Sequence, residues 1–171
     1  MIAACLRAVK LHGATSVLLR ELDLPRKEAV RTVGLLRAAL PGGVALLVAR
    51  DPLLAAEADA DGVQLGFDSP SVAVARSVLG SSRWIGRSVH TPDEAESAAR
   101  SGADYVVFGP VRATPSKEGL ILPKGFEGLA AAVRRSTVPV VAIGGLTLAD
   151  EVAVRNEGAI GFAAIRAFMA P

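Results

Sequence analysis

Several residue types are rare in this chain, and each of these scarcities excludes a class of protein. Its 171 residues include a single cysteine, Cys5, which excludes an internal disulfide and a cysteine metal cluster and predicts a reducing, cytoplasmic location. Only 4% of the residues are aromatic and no extended run of lysine or arginine occurs, so nucleic acid is not expected as the main partner. The net charge of +2 suits an acidic or phosphorylated small molecule better.

Long hydrophobic runs are also missing. Although 51% of the residues are hydrophobic, the longest apolar runs have the length of a β-strand, so no membrane span is predicted. The first 13 residues carry Arg7 inside an apolar stretch and no basic leader, which favours an amphipathic helix over a signal peptide. A mean hydropathy of +0.40 is typical of an α/β fold whose strands are buried on both faces.

Short strand patterns alternate with helical patterns along the chain. We predict a helix at the N-terminus and then strands at 15–22, 44–50, 61–66, 83–89, 104–111, 138–145 and 161–169, separated by helices. Two helix starts carry capping signals. One is Ser69 followed by Pro70; the other is Thr91, with Pro92 at the first helical position and Glu94 at the capping-box position.

Two architectures fit seven strands that alternate with helices: a doubly wound open sheet, or a TIM-type (β/α)8 barrel that lacks its first strand. A repeat of about 20–25 residues is close to the barrel norm, and no Gly-x-Gly-x-x-Gly signature follows a strand. We therefore predict the barrel, with residues 1–171 as one domain. A missing strand leaves two open edges, so we expect a homodimer or the N-terminal helix to fill the gap, unless the natural chain starts upstream of Met1.

Ligands of such barrels bind at the carboxyl ends of the strands. The residues predicted there are Arg20, Glu21, Arg50, Asp51, Gly66, Asp68, Ser88, His90, Gly109, residues 114–117, Gly144, Gly145 and Arg166. The pair Gly144-Gly145 would let backbone N–H groups approach a phosphate. The same pair could instead only form a tight turn, and both interpretations stay open.

The segment after the fifth predicted strand carries donors suited to an anion. Thr114, Ser116 and Lys117 supply two hydroxyls and an ammonium group, which is what a phosphate or diphosphate needs. Lysine is scarce here, with four lysines against fifteen arginines, so Lys117 does not come from an abundant residue type. The alternative is a solvated loop that Pro110 and Pro115 make rigid.

The histidines and acidic residues allow few other sites. His90 precedes a helix cap, where it either orders the turn or transfers a proton with a partner that the sequence does not reveal. His12 is expected at the surface. Asp51 and Asp68 could both reach a metal ion, which keeps Asp68 as a candidate ligand. Arg50 opposes a cation, however, and we expect ion pairs within this group instead.

Five segments together resemble thiamine phosphate synthase and its relative, the thiazole tautomerase TenI. They are LLRELD (18–23), DADGVQLG (59–66), IGRSVHTPDEA (85–95), GADYVVFGPVRATPSK (102–117) and VPVVAIGGL (138–146). The resemblance runs from about residue 5 to the end, and the combination is far more specific than any one motif. It implies a thiamine-synthase-like barrel without its first strand, acting in thiamine biosynthesis.

The resemblance also implies a reaction and a set of ligand contacts. The family joins a pyrimidine methyl diphosphate to a thiazole phosphate, and Mg²⁺ helps the diphosphate to leave; Mg²⁺ is expected here only if that reaction is retained. The resemblance assigns diphosphate to Arg20, Ser88 and Lys117, the thiazole part to Thr114 and Ser116, and the thiazole phosphate to Gly144 and Gly145.

Several positions depart from the family pattern. This chain has Leu18 where the family has its pyrimidine-binding glutamine, and Leu22 where it has its diphosphate lysine. Ala49-Arg50 replaces the Asn-Asp pair after strand 3 of the family barrel, and the second metal carboxylate falls near Asp68 or Ser69. Arg166 replaces a serine of the family's phosphate site. An arginine mimics the charge of a metal ion but not its coordination of leaving oxygens. TenI transfers protons with a histidine where this chain has Pro110.

Three functions therefore remain as hypotheses. The first is a synthase-like transferase, in which Lys117 is a candidate catalytic residue. The second is a tautomerase-like isomerase that uses His90 or a carboxylate as its base. The third is a non-catalytic protein that binds a phosphorylated heterocycle, having lost the site for Mg²⁺ and diphosphate.

Overall fold

The computed structural model describes residues 1–21, 23–114 and 121–169. They form two compact units: the first holds residues 1–85 together with the chain from Phe168, and the second holds residues 86–167. None of the helices in the described part of the chain is both long enough and apolar enough to cross a bilayer.

Parallel strands alternate with helices in both units, which confirms the α/β class predicted from the sequence. The described strands are β1 (Ser16–Leu19), β2 (Ala45–Ala49), β3 (Gly62–Leu65), β4 (Trp84–Val89), β5 (Tyr105–Phe108), β6 (Val140–Ile143) and β7 (Gly161–Ala163). The described helices are α1 (Ile2–His12), α2 (Arg26–Ala39), α3 (Pro52–Glu57), α4 (Val72–Leu79), α5 (Pro92–Arg100), α6 (Gly125–Arg135), α7 (Glu151–Asn156) and α8 (Arg166–Met169).

In the first unit, β1, β2 and β3 are neighbours in that order, and β1 lies at the sheet edge. Consecutive residues are buried in β2, from Leu46 to Val48, and in β3, from Gly62 to Leu65. Because side chains alternate along a strand, both faces of these strands are covered, as is usual for parallel strands. His12 ends α1 and is exposed, as expected; its ring lies 6.2 Å from that of Phe168.

In the second unit, β5 pairs with β4 and β6, and β6 with β7. Thr91 caps α5 as predicted, because its hydroxyl accepts a hydrogen bond from the Glu94 N–H at 3.2 Å. The Glu94 carboxylate does not return the bond to Thr91; it accepts the N–H of His90 at 2.6 Å. The reciprocal half of the predicted capping box is therefore displaced by one residue.

The prediction that Ser69 caps a helix is wrong. α4 begins at Val72, and the hydroxyl of Ser71 accepts the N–H of Val74 at 3.2 Å. Ser69 instead closes the turn after β3, where its hydroxyl accepts the N–H of Gly66 at 2.8 Å. Because its hydroxyl is engaged in that turn, Ser69 lies two residues before Ser71, which caps α4.

The predicted closing strand at 161–169 is also wrong in its second half. β7 ends at Ala163, and Arg166 opens the helix α8. Periodicity alone does not separate a short apolar strand from a short helical turn, and this segment joins one of each. Arg166 therefore lies on a helix, three residues beyond the last strand.

Candidate functional site

In the second unit, the chain that leaves β5 is bonded along the end of β6. The N–H of Val111 donates to the carbonyl of Ile143 at 2.8 Å, and the N–H of Arg112 donates to the carbonyl of Gly144 at 2.9 Å. A Cβ on Gly109 would lie only 2.8 Å from Cγ2 of Ile143, so a larger residue could not leave β5 along this path. The segment that carries Thr114 is thus held by backbone contacts.

Gly144 and Gly145 are the residues that this segment crosses. Both have positive φ angles, +100° and +66°. A Cβ on Gly144 would lie 2.5 Å from Cβ of Pro110, and one on Gly145 would overlap the carbonyl oxygen of Ala113. Glycine is therefore required here by the turn and by the crossing chain. A contact with phosphate stays a prediction.

An ion pair that the sequence did not predict fastens the same region. Arg112 Nη2 lies 2.7 Å from Asp150 Oδ1, and its guanidinium stacks 5.2 Å from the ring centre of Phe126. Asp150 Oδ2 accepts the N–H of Thr147 at 2.9 Å and its hydroxyl at 3.0 Å. These bonds, the Thr147 N–H foremost, hold the pKa of Asp150 below its usual value, and Arg112 adds to the effect.

Two predicted phosphate ligands come together in this unit. Arg166 Nη2 lies 3.3 Å from the hydroxyl of Thr114. Thr114 directly follows Ala113, the residue against Gly145. Ser88 lies on β4 opposite Val107 of β5. Leu22, Ser116 and Lys117 lie outside the described residues.

His90 links the start of α5 to the end of β5. Its ring Nδ1 is hydrogen-bonded to the carbonyl of Gly109. A carbonyl only accepts, so Nδ1 must carry the proton, and in the neutral ring Nε2 is the basic nitrogen. The hydrogen bond therefore fixes the orientation of the ring, and both roles considered for His90 stay predictions.

In the first unit, the backbone turns sharply where β2 ends. Arg50 has a φ of +68°, and the N–H of Asp51 donates to the carbonyl of Ala49 at 2.9 Å. A bond between residues two apart around a positive φ is the rarer and more strained form of the γ-turn. The Arg50 N–H donates to the carbonyl of Gln64 on β3 at 2.9 Å, which fixes the turn. Such strain costs about 1–3 kcal/mol and is concentrated at functional sites.

The two acidic residues considered as metal ligands are both ion-paired. Asp68 Oδ2 lies 3.2 Å from Arg50 Nη2. Asp51 pairs with Arg26 at 2.8 Å, and its other oxygen accepts the N–H of Leu54 at 2.9 Å as the cap of α3. Ion pairing was expected here, although Arg26 was not foreseen as the partner of Asp51.

These residues do not fit Mg²⁺. The ion needs several oxygen ligands in near-octahedral geometry, and each of the two carboxylates already faces a guanidinium. Within residues 1–21, 23–114 and 121–169, no group of three or more His, Cys, Asp or Glu side chains is arranged to hold a metal ion.

Among the described residues, the first unit contains a smaller and a larger cavity. The smaller, of about 250 Å³, opens beside the strained turn and is lined by Leu19, Glu21, Leu24, Arg26, Ala29, Ala49, Arg50, Asp51 and Leu54. The larger, of about 540 Å³, opens at the amino ends of β2 and β3. Its charged walls are satisfied by pairs such as Arg37–Asp61 at 2.7 Å. The smaller cavity is the one at the carboxyl ends, where ligands of such folds bind.

Parallel strands that alternate with helices, with glycines, a hydroxyl and arginines beyond their carboxyl ends, are typical of α/β proteins of the TIM type. A solved structure with this fold, thiamine phosphate pyrophosphorylase from Pyrococcus furiosus, is 32% identical to the chain with a TM-score of 0.88. The alignment covers 99% of this chain and 81% of that protein. The predicted fold class is confirmed.

The family follows from the sequence as a whole. A family model for thiamine monophosphate synthase matches residues 1–168. The thiamine-phosphate synthase of Chloroflexus aurantiacus is 37% identical over 168 residues, which cover 98% of this chain and 77% of the relative. That of Anaeromyxobacter dehalogenans is 38% identical over 163 residues, covering 95% and 73%. The chain belongs to the thiamine monophosphate synthase family, which is consistent with a role in thiamine biosynthesis.

Proposed function

We propose that the chain binds a phosphorylated thiazole at the carboxyl ends of β5 and β6 and joins it to a pyrimidine methyl diphosphate. The thiazole nitrogen forms a bond to the methylene carbon as the bond from that carbon to the diphosphate oxygen breaks, and diphosphate leaves. The observation that carries the proposal is the convergence of Thr114, Arg166 and Gly145 within the second unit.

These groups suit a phosphate chemically. A guanidinium offers paired N–H donors to phosphate oxygens, and charge-assisted hydrogen bonds are about twice as strong as neutral ones. The contact between Arg166 and Thr114 is long, at 3.3 Å, and the Arg166 side chain is exposed. The Arg166 guanidinium can therefore turn toward a ligand at little cost, and the glycine turn beside this segment gives it a fixed neighbour.

The other predicted ligands are part of the same proposal. Arg20, exposed at the end of β1, and Ser88 on β4 would bind diphosphate. Lys117 would neutralise the charge that develops on the leaving diphosphate, which is the catalytic role proposed for it. We also propose that the protein is cytoplasmic and that its partners are small phosphorylated heterocycles, not nucleic acid.

A coupling assay with both substrates tests the proposal, and calorimetry with thiazole phosphate tests the binding half alone. Arg166→Met and Thr114→Val should each weaken thiazole phosphate binding, Arg166→Met by about tenfold or more, because a hydrogen bond to a charged group is worth about 1.5–3 kcal/mol. Arg155→Met is the matched control, since Arg155 is an exposed arginine of the same unit that pairs with Glu151. Equal affinities in Arg166→Met and Arg155→Met would refute the assignment of the phosphate site.

An isomerase is the second candidate, and the tautomer of His90 favours it. With Nδ1 bonded to the Gly109 carbonyl, Nε2 can act as a base. His90→Asn retains an N–H donor for that carbonyl but has no basic nitrogen. Turnover of a thiazole tautomer without Mg²⁺ that is lost in His90→Asn would support this candidate over the transferase.

The third candidate, a non-catalytic binder, predicts stabilisation without turnover. Thiazole phosphate at a hundredfold excess over its Kd would add about 2.7 kcal/mol to the free energy of unfolding. The coupling assay separates this outcome from the first, because product forms only in the transferase.

A further inference from the structure

The end of β2 carries a positive charge on backbone held in a rare conformation. Arg50 lies at the centre of the strained γ-turn, and only Asn, Asp and a few others adopt positive φ with any frequency among non-glycine residues. A glycine would relieve the strain, yet the position holds a long cationic side chain. Strained residues persist where the surrounding structure forces them, and they mark functional sites more often than chance.

One ion pair orients the Arg50 guanidinium but occupies only part of its hydrogen-bonding capacity. Its Nη2 contacts one oxygen of Asp68 at 3.2 Å, and the two side chains are 41% and 62% exposed. Such an exposed ion pair contributes little to stability, so a ligand can replace Asp68 as the partner of Arg50 at little cost. Since a guanidinium has five N–H donors in a planar fork, most of them remain available to a second acceptor.

The acceptors around Arg50 argue against a metal ion beside it. Asp51 uses one oxygen to cap α3 and the other to bind Arg26, and Asp68 faces Arg50 itself. A divalent cation would have to displace Arg26 from Asp51 and Arg50 from Asp68, and it would then lie close to both guanidinium groups. Like charges at such short range repel each other strongly, even near a protein surface.

We infer that Arg50, and not Mg²⁺, is the cation at the carboxyl ends of β2 and β3, and that it binds an oxygen of an anionic ligand directly. The ligand class rests on the proposed function: it is a diphosphate, whose oxygens match the bidentate donors of arginine. The inference departs from the magnesium dependence that the family resemblance implies.

The first arm of the test measures metal binding by the protein alone. Mn²⁺ is titrated into the chain and the bound fraction is measured by electron paramagnetic resonance. Wild type should bind no Mn²⁺. Arg50→Asp should gain binding, because the variant adds a third carboxylate to Asp51 and Asp68 and removes the opposing charge. Aspartate also tolerates positive φ, so the variant should fold.

The second arm measures inorganic diphosphate by calorimetry in the presence of EDTA. Wild type should bind it, and Arg50→Asn should bind about tenfold more weakly, which corresponds to 1.4 kcal/mol. Asparagine also tolerates positive φ, so the loss reports the guanidinium. Arg100→Gln is the control, since Arg100 is an exposed arginine on α5 whose partner is Glu96; its affinity should equal that of wild type.

Three results would overturn the inference. They are binding of Mn²⁺ by wild type, diphosphate binding that requires a divalent cation, and an unchanged diphosphate affinity in Arg50→Asn. None of these measurements contains thiazole phosphate. A failure of the proposed thiazole phosphate site would therefore show only in the Arg166→Met series, and the two ideas can fail separately.

Discussion

Replacing Gly145 by alanine tests whether the glycine pair is required by the crossing chain. The new Cβ would lie 2.8 Å from Cβ of Arg112 and would overlap the carbonyl oxygen of Ala113. Two costs add. Placing an L-residue at a φ of +66° costs about 1–2 kcal/mol. Forcing the neighbouring backbone aside costs about a further 1–3 kcal/mol.

Gly125→Ala carries only the first of these costs, so its difference from Gly145→Ala gives the second. Gly125 lies in the same unit and has a φ of +67°, but nothing lies within 4 Å of its would-be Cβ. It should therefore lose only the backbone part, about 1–2 kcal/mol. Gly145→Ala should lose about 2–5 kcal/mol in total, a large fraction of the 5–15 kcal/mol that holds a typical domain together.

Amide hydrogen exchange of β5 and β6 measures the difference within the second unit, because protection of core strands reports its opening free energy. Urea unfolding followed by circular dichroism provides the independent value. If Gly145→Ala and Gly125→Ala are equally destabilised, the segment after β5 does not press on Gly145. The crossing chain would then be refuted as a reason for glycine at position 145, and the positive φ of the turn would be the reason that remains.

Three further predictions concern the pH dependence, a helix cap and the assembly. The folded state lowers the pKa of the Asp150 carboxyl from its ordinary value of 3.8, so Asp150 stabilises the fold fully above pH 3.8 and progressively less as the pH falls below 3.8. Over that acidic range the urea midpoint of Asp150→Asn should fall less than the urea midpoint of wild type. Ser71→Ala should lower the unfolding free energy by about 1 kcal/mol through the lost cap, and a loss no larger than that of Ser77→Ala, a control on α4, would contradict this cap. Sedimentation velocity should show a homodimer that covers the free edge of β1; a monomer at every concentration would disprove it.

The strands were predictable because their signal is local. Runs of valine, leucine and isoleucine between glycine, proline and polar residues locate β2, β5 and β6, and each observed strand lies within its predicted range. The predicted ranges are longer because apolar residues continue into the turns. Val111 shows this: it is buried beyond the end of β5 because it packs in the crossing segment and not because it belongs to a strand.

Helix ends were less predictable, because one residue type serves several kinds of turn. Ser69 and Ser71 both precede an apolar run, and either serine could accept a hydrogen bond from a helix N–H. Ser71 is the cap because the hydroxyl of Ser69 already accepts a hydrogen bond from the N–H of Gly66. Nothing in the local pattern of residues reveals that competing bond.

In the candidate site, features made by neighbouring residues are predictable from the sequence, whereas contacts between distant residues are not. Gly144-Gly145 and the capping pair Thr147 and Asp150 are recognisable from neighbouring residues. Arg112 pairs with Asp150 across 38 residues of sequence, so only the fold brings them together. The single-domain prediction for residues 1–171 stays a prediction, as do the contacts proposed for Lys117.

Family membership alone does not establish that this chain performs the family reaction, because Arg50 and Arg166 stand at positions where the family pattern has other residues. In the second unit, Arg166 lies beside Thr114 and the glycine turn, which adds a donor to groups that already suit a phosphate. In the first unit, Arg50 faces Asp68, which takes a carboxylate away from any metal ion. The same residue type therefore suits the phosphate site that we propose in one place and pairs with a carboxylate in the other. A chain with both changes should bind phosphorylated ligands, and its rate of condensation should depend on whether Arg50 and Lys117 stabilise the departing diphosphate without a metal ion.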